Sequence, residues 1–310
     1  MKQKRTQYDV PVGMRVDGTP WHLRVIKHTG ADTGPATAIL GGMYGDKAMS
    51  CLALHHLDRR LAETEHLAGT VILAPAVNVP GIEINSRINA DHLALNRRFP
   101  GSSSGFLTDQ FAEAIASTIL DVADGIVDLH SGTPTLALWY SYDFGDLELS
   151  ASFGHLPIAT GFAHPGQFGT HAKSAGASLV LPEWGGGPIK SLEVGIEGSI
   201  NVLKHRGHME GSPSGPSSVP LITERSLMLV SAPGILESVF DSTRVGQRLD
   251  AGPLGWITNA VTGKRIQEFE VEDEGWLLMM ASTTPAIVRP GDFAFMIGRA
   301  TEDVAVPGAK

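Results

Sequence analysis

The sequence has little of several features that mark particular classes of protein. One cysteine excludes an internal disulfide and fits a reducing compartment, so a cytoplasmic location is expected. No run approaches the roughly 20 apolar residues of a membrane-spanning helix, and no signal-like apolar run follows the basic first residues. The net charge is −9 and no basic cluster is rich in aromatics, so neither nucleic acid nor a membrane is an expected partner.

Glycine and proline are abundant, with 36 and 19 residues among 310, which predicts many tight turns. Hydrophobic residues make up 42% and charged residues 18%, as in globular proteins large enough for a main domain and a smaller partner. Cys51 lies in an apolar run over 48–54, which favours a buried structural thiol over a nucleophile.

Short apolar strands alternate with amphipathic helices over residues 1–210. A β-hairpin is predicted over Asp9–His28, around Asp17-Gly18. Strands are then predicted at 36–40, 70–75, 125–130 and 177–183, and helices at 46–67, 109–122 and 192–204, with a long loop from Pro75 to Gly101. This alternation predicts an α/β domain whose mixed sheet is flanked by helices.

The last third of the chain has a different pattern. Residues 211–225 begin with a Gly/Ser/Pro-rich stretch and are predicted to be a linker, and 226–310 to be a small all-β domain. Its glycines recur about forty residues apart, each before an apolar strand, which resembles a lipoyl-like barrel. A carrier role needs a modifiable lysine at a hairpin tip; Lys264 is the candidate, but a solvated turn over 262–265 is favoured.

Three segments end at the edge of the predicted sheet where ligands gather in α/β proteins: Gly42-Met43-Tyr44, His130 and Glu183. Asp128-Leu129-His130 suggests a histidine ligand or base oriented by a carboxylate, or else an ordinary loop histidine. Glu183 precedes Trp184 and three glycines, which suits a general base, although a strand-end glutamate without a role fits as well.

A basic loop follows the strand predicted at 70–75. Arg87, Asn96, Arg97 and Arg98 lie within one loop of an otherwise acidic chain. Guanidinium groups bind carboxylates in a bidentate manner, so anion recognition is favoured over a solvated basic loop.

In this order the segments resemble the succinylglutamate desuccinylase/aspartoacylase family of the zinc carboxypeptidase superfamily. The resemblance runs from about Ile39 to Gly211 and continues through the predicted β domain. The segments that carry it are Gly41-Gly42-Met43-Tyr44-Gly45-Asp46-Lys47, Asn78-Val79-Pro80, 87–101, Asp128-Leu129-His130 and Glu183-Trp184-Gly185-Gly186.

The resemblance implies a zinc-carboxypeptidase-like fold and hydrolysis of N-acyl amino acids or related amides with one zinc ion. It makes His130 the last metal ligand, Glu183 the catalytic carboxylate, and 87–101 the substrate loop. Tyr44 and Lys47 stand where the family has its other two metal ligands, His and Glu, and Ala94 stands where the family has aspartate. Two of three metal ligands are therefore replaced. His164 and His171 are the histidines whose loop could restore a ligand.

The leading expectation is a hydrolase-like protein that acts on the amide bond of a small carboxylate-bearing metabolite, by altered metal-independent chemistry. Glu183, Lys47, Tyr44 and Arg87 are then catalytic, Asn96 and Arg97 bind substrate, and His130 is retained from the metal site. One alternative is a non-catalytic protein that binds a similar ligand. Another is a conventional hydrolase with a metal held through His130. Assembly of identical chains is also expected to be possible.

Overall fold

The computed structural model describes residues 3–161, 163–189, 191–281 and 283–309. Within them the helices are α1 (Ala48–Glu63), α2 (Val79–Glu83), α3 (Leu107–Leu120), α4 (Leu147–Ser152), α5 (Phe168–Ser174) and α6 (Leu192–His205). The strands are β1 (Lys4–Met14), β2 (Pro20–Thr29), β3 (Asp32–Gly41), β4 (Ala68–Ala74), β5 (Gly125–Ser131), β6 (Leu136–Asp143), β7 (Ile158–Ala159), β8 (Ser178–Gly185), β9 (Ser218–Leu229), β10 (Gly234–Ser238), β11 (Arg248–Leu249), β12 (Gly252–Thr258), β13 (Arg265–Val271), β14 (Gly275–Ala281), β15 (Ala286–Val288) and β16 (Phe293–Ala305).

The main sheet is mixed, as predicted. In the described residues its order is β1-β2-β4-β3-β5-β8-β6-β7-β9-β16-β14-β11. β4, β3, β5 and β8 are parallel to one another, because helices on the two faces of the sheet connect them. β1 pairs antiparallel with β2, β2 with β4, and β6 with β8, whereas β6 and β7 are parallel. Every strand and helix predicted before residue 205 is present, with ends shifted by a few residues.

Helices cover both faces of this sheet. On one face, buried residues of α1 and α6 pack with Trp184 of β8. On the other face, Phe111 and Ile115 of α3 and Phe168 of α5 pack against β5 and β8. These strands are buried on both sides, which explains their nearly continuous apolar sequences. No helix in the described part of the chain has the length and apolar character needed to cross a membrane.

The segment predicted to be one long loop, Pro75 to Gly101, is partly helical. It contains the short helix α2, whose first turn is capped by Asn78 through a 3.3 Å bond from the Gly81 amide to Asn78 Oδ1. A single 3-10 turn follows at Leu95–Arg97. Such short elements leave no periodic apolar pattern, so the sequence did not predict them.

Five strands close into a ring. β6 pairs with β7, β7 with β9, β9 with β16, β16 with β14, and β14 with β6 again. Residues 218–225 of the expected linker form the first part of β9, and they pair with β16. The division of the chain at 210 and 225 stays a prediction.

A second sheet, in the order β13-β12-β10-β15, covers the outer side of this ring. Leu236, Ile257 and Phe269 of that sheet share a core with Phe295 and Ile297 of β16. The tip between β12 and β13 carries Lys264, which is exposed in a turn closed by the bond from the Asn259 amide to its carbonyl.

Candidate active site

The parallel strands bring the predicted site residues to one edge of the sheet. Tyr44 lies in the loop after β3, and Lys47 lies at the start of α1. His130 of β5 is directly opposite Glu183 of β8 in the strand register. The loop passes close to α2 because Gly45 has no side chain; a Cβ there would overlap the Gly81 carbonyl. The four side chains therefore meet although up to 139 positions separate them.

Lys47 and Glu183 form a buried ion pair. Lys47 Nζ is 3.4 Å from Glu183 Oε2, and the two side chains are 5% and 14% exposed. Removing a charge from water is costly, so a buried lysine and glutamate persist only as partners or with a bound ligand. Lys47 is thus fixed beside the carboxylate that the sequence predicts to be catalytic.

His130 is oriented by Asp128. Its Nε2 is 3.1 Å from Asp128 Oδ2, and both side chains are almost fully buried. If Nε2 carries the proton toward this carboxylate, the lone pair is on Nδ1. Nδ1 lies 3.8 Å from Glu183 Oε1 and has no hydrogen-bond partner among the described residues. In that tautomer His130 presents a single acceptor nitrogen toward Glu183.

Tyr44 packs edge-on against His130, with ring centroids 5.4 Å apart. Its hydroxyl oxygen accepts hydrogen bonds from Arg87 Nη2 at 3.1 Å and from Arg97 Nη1 at 3.3 Å. The Arg87 guanidinium also lies 3.9 Å above the Tyr44 ring. Burial raises the pKa of Tyr44, although the two arginines oppose the rise. The hydroxyl therefore stays protonated near neutral pH and keeps its own hydrogen to donate.

The predicted substrate-binding residues Asn96 and Arg97 line the same cavity, but they differ in their hydrogen bonds within the protein. Asn96 is 1% exposed, and its Oδ1 accepts a 2.7 Å bond from the Phe168 amide, so it holds the substrate loop against α5. Arg97 also donates to the Asn96 carbonyl. Of the two histidines considered as replacement ligands, His164 lines the cavity and His171 lies in α5 outside it.

These residues line one end of a cavity of about 520 Å³. Four of its lining side chains are cationic, namely Lys47, Arg87, Arg97 and Arg225, whereas Glu183 is the carboxylate among the described lining residues. In a chain of net charge −9, this local excess of positive charge attracts anionic ligands. Each guanidinium has five N–H donors, so Arg87 and Arg97 can bind a carboxylate while they keep their hydrogen bonds to the Tyr44 hydroxyl.

The sequence analysis missed several polar residues of the cavity, among them Tyr140, Tyr142 and Arg225. Tyr140 lies opposite Glu183 on β6, and its hydroxyl is 3.2 Å from that of Tyr142. Burial raises the pKa of Tyr140 well above its usual value and that of Tyr142 to about 12, so both stay neutral. Arg225 of β9 lies over the Tyr142 ring at 5.3 Å. The alternation Leu136, Leu138, Tyr140, Tyr142 in the sequence is the signal that would have revealed this strand.

Cys51 lies in α1, and its sulfur is 3.9 Å from the Lys47 carbonyl oxygen. Burial raises the pKa of its thiol to about 11, which disfavours the reactive thiolate. This agrees with the structural thiol that the sequence favours.

The side chains of this site do not fit the zinc site that the family resemblance implies. A catalytic zinc takes three protein ligands. Here His130 offers one nitrogen and Glu183 one carboxylate, whereas the Tyr44 oxygen already accepts from two arginines and an ammonium on Lys47 has no lone pair. Among the described residues no group of three or more His, Cys, Asp or Glu side chains is placed to hold a metal ion.

The fold and the site together define a class of protein: a mixed α/β protein with a cationic pocket at the carboxyl ends of its parallel strands. The catalytic-domain model of the succinylglutamate desuccinylase/aspartoacylase family matches residues 33–186. The chain belongs to this family.

Relatives of this chain include an N-alpha-acetyl-L-2,4-diaminobutyric acid deacetylase of Halomonas elongata. It is 27% identical over 291 residues, which cover 87% of this chain and 84% of the relative. A succinylglutamate desuccinylase/aspartoacylase from Rhodobacter sphaeroides has the same fold, with a TM-score of 0.82, 24% identity and 96% of each chain covered. The product-bound ectoine utilization protein EutE from Ruegeria pomeroyi has a TM-score of 0.81 and 25% identity, over 96% of this chain and 94% of its own.

Proposed function

We propose that this protein hydrolyses the amide bond of an N-acyl amino acid or a similar small carboxylate-bearing metabolite, with the Lys47 ammonium in place of a metal ion. The observation that carries the proposal is the buried pair of Lys47 and Glu183, at 3.4 Å, beside His130 and Tyr44. The deacetylase from Halomonas elongata supports the type of bond, because its name gives an N-acetylated amino acid as substrate.

In this proposal Arg87 and Arg97 bind the substrate carboxylate and fix the amide next to Glu183. Glu183 takes a proton from a water molecule, and the resulting hydroxide adds to the amide carbon. The negative charge that forms on the carbonyl oxygen is stabilised by the Lys47 ammonium and the Tyr44 hydroxyl, which are both already in place. The C–N bond then breaks, and Glu183 delivers its proton to the leaving nitrogen, which gives a carboxylic acid and an amine; transfer of the acid proton to the amine leaves a carboxylate and an ammonium ion.

Neutral tyrosines around Glu183 suit this role. Tyr140 lies opposite Glu183 in the strand register, and the raised pKa values of Tyr140 and Tyr142 keep both hydroxyls protonated. Their burial limits the number of water molecules that reach the carboxylate, which strengthens the electrostatic interactions among the charged groups.

Zinc is the cofactor that the family resemblance implies, so metal analysis is the decisive experiment. The purified wild type is expected to hydrolyse N-acyl amino acids after exhaustive treatment with a chelator, and to contain well under one zinc ion per chain. A double variant, Tyr44→His with Lys47→Glu, restores the two ligand types of the family and is expected to gain close to one zinc ion per chain. Stoichiometric zinc in the wild type, with activity lost on chelation, would contradict the metal-independent mechanism.

A protein that binds such metabolites without turnover is the second candidate. The observation that favours it is the contact of Glu183 with Lys47, which can neutralise the base as well as position it. Absence of hydrolysis across a panel of N-acyl amino acids, together with tight binding of one of them, would support this candidate. The cytoplasmic location, the assembly state and the lipoyl-like character of the C-terminal strands stay predictions.

A further inference from the structure

The site cavity has an apolar end that the proposed chemistry does not use. Four of its lining residues form a row across four strands of the ring: Leu138 of β6 is opposite Met279 of β14, Met279 is opposite Met296 of β16, and Met296 is opposite Leu227 of β9. Directly opposed residues have Cβ atoms about 4.5–5.5 Å apart, so these side chains form one continuous apolar surface.

This row lies on the inner side of the ring of five strands. Residues of β6, β9, β14 and β16 line the cavity together with Thr160, which follows β7. The opposite face of the same strands, with Phe295 and Ile297, is covered by the second sheet. The cavity therefore extends from the catalytic edge of the main sheet into the interior of the ring.

Polarity changes in a regular way along two of the strands. On β6 the cavity side reads Leu136, Leu138, Tyr140 and Tyr142, and Tyr140 is the residue opposite Glu183. On β9 it reads Thr223, Arg225 and Leu227. Leu138 is two residues from Tyr140, and a strand advances about 3.4 Å per residue, so the apolar row begins about 7 Å from the neighbour of Glu183. A ligand whose polar group lies at Glu183 thus reaches apolar side chains within about 7 Å.

The far end of the row is open. Leu138, Met279 and Met296 are at most 5% exposed, whereas Leu227 is 47% and Phe293, at the same rim, 46% exposed. Isolated exposed apolar residues are ordinary, but here they continue a buried apolar surface that starts at the reacting centre. An apolar chain that lies along the row is therefore not stopped by a wall at its end.

We infer that the interior of the ring is a binding site for an apolar acyl group, so that the preferred substrates are N-acyl amino acids whose acyl chain has several carbons. This inference rests on the proposed function, because it assigns the two ends of the same substrate. Arg87 and Arg97 hold the amino acid carboxylate, Glu183 and Lys47 meet the amide, and the acyl chain follows Leu138, Met279, Met296 and Leu227.

The test is a series of N-acylglycines from acetyl through butyryl and hexanoyl to octanoyl, in which only the acyl chain changes. Turnover is measured as kcat/KM with the wild type, and binding by titration calorimetry with the Glu183→Gln variant. Binding is expected to tighten by up to about fourfold for each added methylene, which corresponds to about 0.8 kcal/mol, until the chain passes Leu227. The same trend is expected in kcat/KM.

Two matched variants locate the effect. Leu227→Glu places a charge at the open end of the row and is expected to remove the gain in kcat/KM from hexanoyl to octanoyl. Leu229→Glu changes a residue of similar exposure, 43%, two positions along the same strand, and Leu229 does not line the cavity. It is expected to keep the full dependence on chain length.

The outcomes separate this inference from the proposed function. Tighter binding of longer chains without any hydrolysis supports the acyl site and contradicts the deacylase function. Hydrolysis with no dependence on chain length supports the function and overturns the acyl site. The acyl site is also overturned if none of the series binds, if Leu229→Glu acts like Leu227→Glu, or if affinity follows the amino acid side chain in a second series of N-acetyl glycine, alanine, leucine and phenylalanine.

Discussion

The proposed chemistry of this protein depends on two residues, Tyr44 and Lys47. Tyr44 and Lys47 stand at the positions that the sequence predicts to correspond to metal ligands of the family, and each has well-defined partners: two arginines for Tyr44 and Glu183 for Lys47. Buried polar and charged side chains require such partners, and these contacts are the geometry on which the proposed role of Lys47 and Tyr44 rests.

Replacing Glu183 with glutamine removes the proposed base but keeps the shape of the side chain. We expect kcat to fall by about 10²- to 10⁴-fold because no other carboxylate among the described lining residues can take the proton of water. Substrate affinity should change little. Glu63→Gln, an exposed substitution on α1, is the control and should leave kcat unchanged. Retention of most of the activity by Glu183→Gln would contradict the assigned role.

Replacing Tyr44 with phenylalanine removes a hydroxyl that is proposed to donate to the developing oxyanion. We expect a loss of about 10²-fold in kcat, typical for the removal of one such donor. KM should rise as well, because Arg87 and Arg97 lose the oxygen that positions them. Steady-state kinetics of Tyr44→Phe and of Tyr8→Phe, whose ring is 45% exposed, separate this effect from a general one. Equal kinetics for the two variants would exclude Tyr44 from the reaction.

Sequence alone singled out Tyr44, Lys47, His130, Glu183, Arg87 and Arg97 as candidates, because these residues follow recognisable motifs, and all of them line one cavity. It could not identify Arg225 or Tyr140. Their place in the site depends on the pairing of β6, β7 and β9, which lie far apart in sequence, and on which face of each strand points inward. Register of this kind follows from three-dimensional packing rather than from local pattern.

Among the elements, α6 determines how closely the helical layer approaches the strand that carries Glu183. Gly195 faces the sheet and Gly198 faces the end of α4; a Cβ at Gly195 would overlap the Trp184 ring, and one at Gly198 would overlap Phe153. Trp184 is fully buried and donates from its indole nitrogen to the Ser191 carbonyl at 2.9 Å. Gly195 therefore allows α6 to pack closely on β8, and Gly198 allows it to pack closely on the end of α4.

Gly195→Ala tests this packing. Alanine has the better helix propensity by about 1 kcal/mol, so an exposed site would gain stability. Here we expect a net loss of about 1–3 kcal/mol, because the added methyl group forces Trp184 or the helix to move. The free energy of unfolding from urea titration measures the effect, with the exposed substitution Glu193→Ala as control. Unchanged or higher stability would show that the helix is not in tight contact at this position.

The elements themselves were predictable to different degrees. Strands β3, β4, β5 and β8 and helices α1, α3 and α6 carry clear apolar patterns, and all were predicted. The helices α4 and α5 and the two-residue strand β7 were not, because a helix of two turns or fewer and a strand of two residues show too little periodicity.

At the scale of the whole molecule, buried histidines link folding to pH. Burial lowers the pKa values of His28, His155 and His208. In the unfolded chain histidines bind protons as the pH falls through about 6.5, whereas these folded side chains bind them only at lower pH. Below this pH the unfolded state holds more protons than the folded state. The stability that these histidines contribute is therefore complete above about pH 6.5, and the free energy of unfolding decreases below it.

Urea midpoints measured at pH 8, 7, 6 and 5 are expected to be similar at the two higher values and to fall at the two lower ones. His155→Phe removes one of the three groups, next to the Phe153 ring, and is expected to make the decrease between pH 7 and 5 smaller. A midpoint that stays constant down to pH 5 would contradict the coupling.

The ring of five strands also governs the order in which a working pocket can appear during synthesis. β16 follows every other strand in the sequence, and it joins β9 to β14. A growing polypeptide that has already made His130 and Glu183 still has no closed wall beside them until residue 305 has left the ribosome. Shortened forms that stop after α6 would carry the charged residues but expose the edges of β6 and β7, which invites aggregation rather than partial activity.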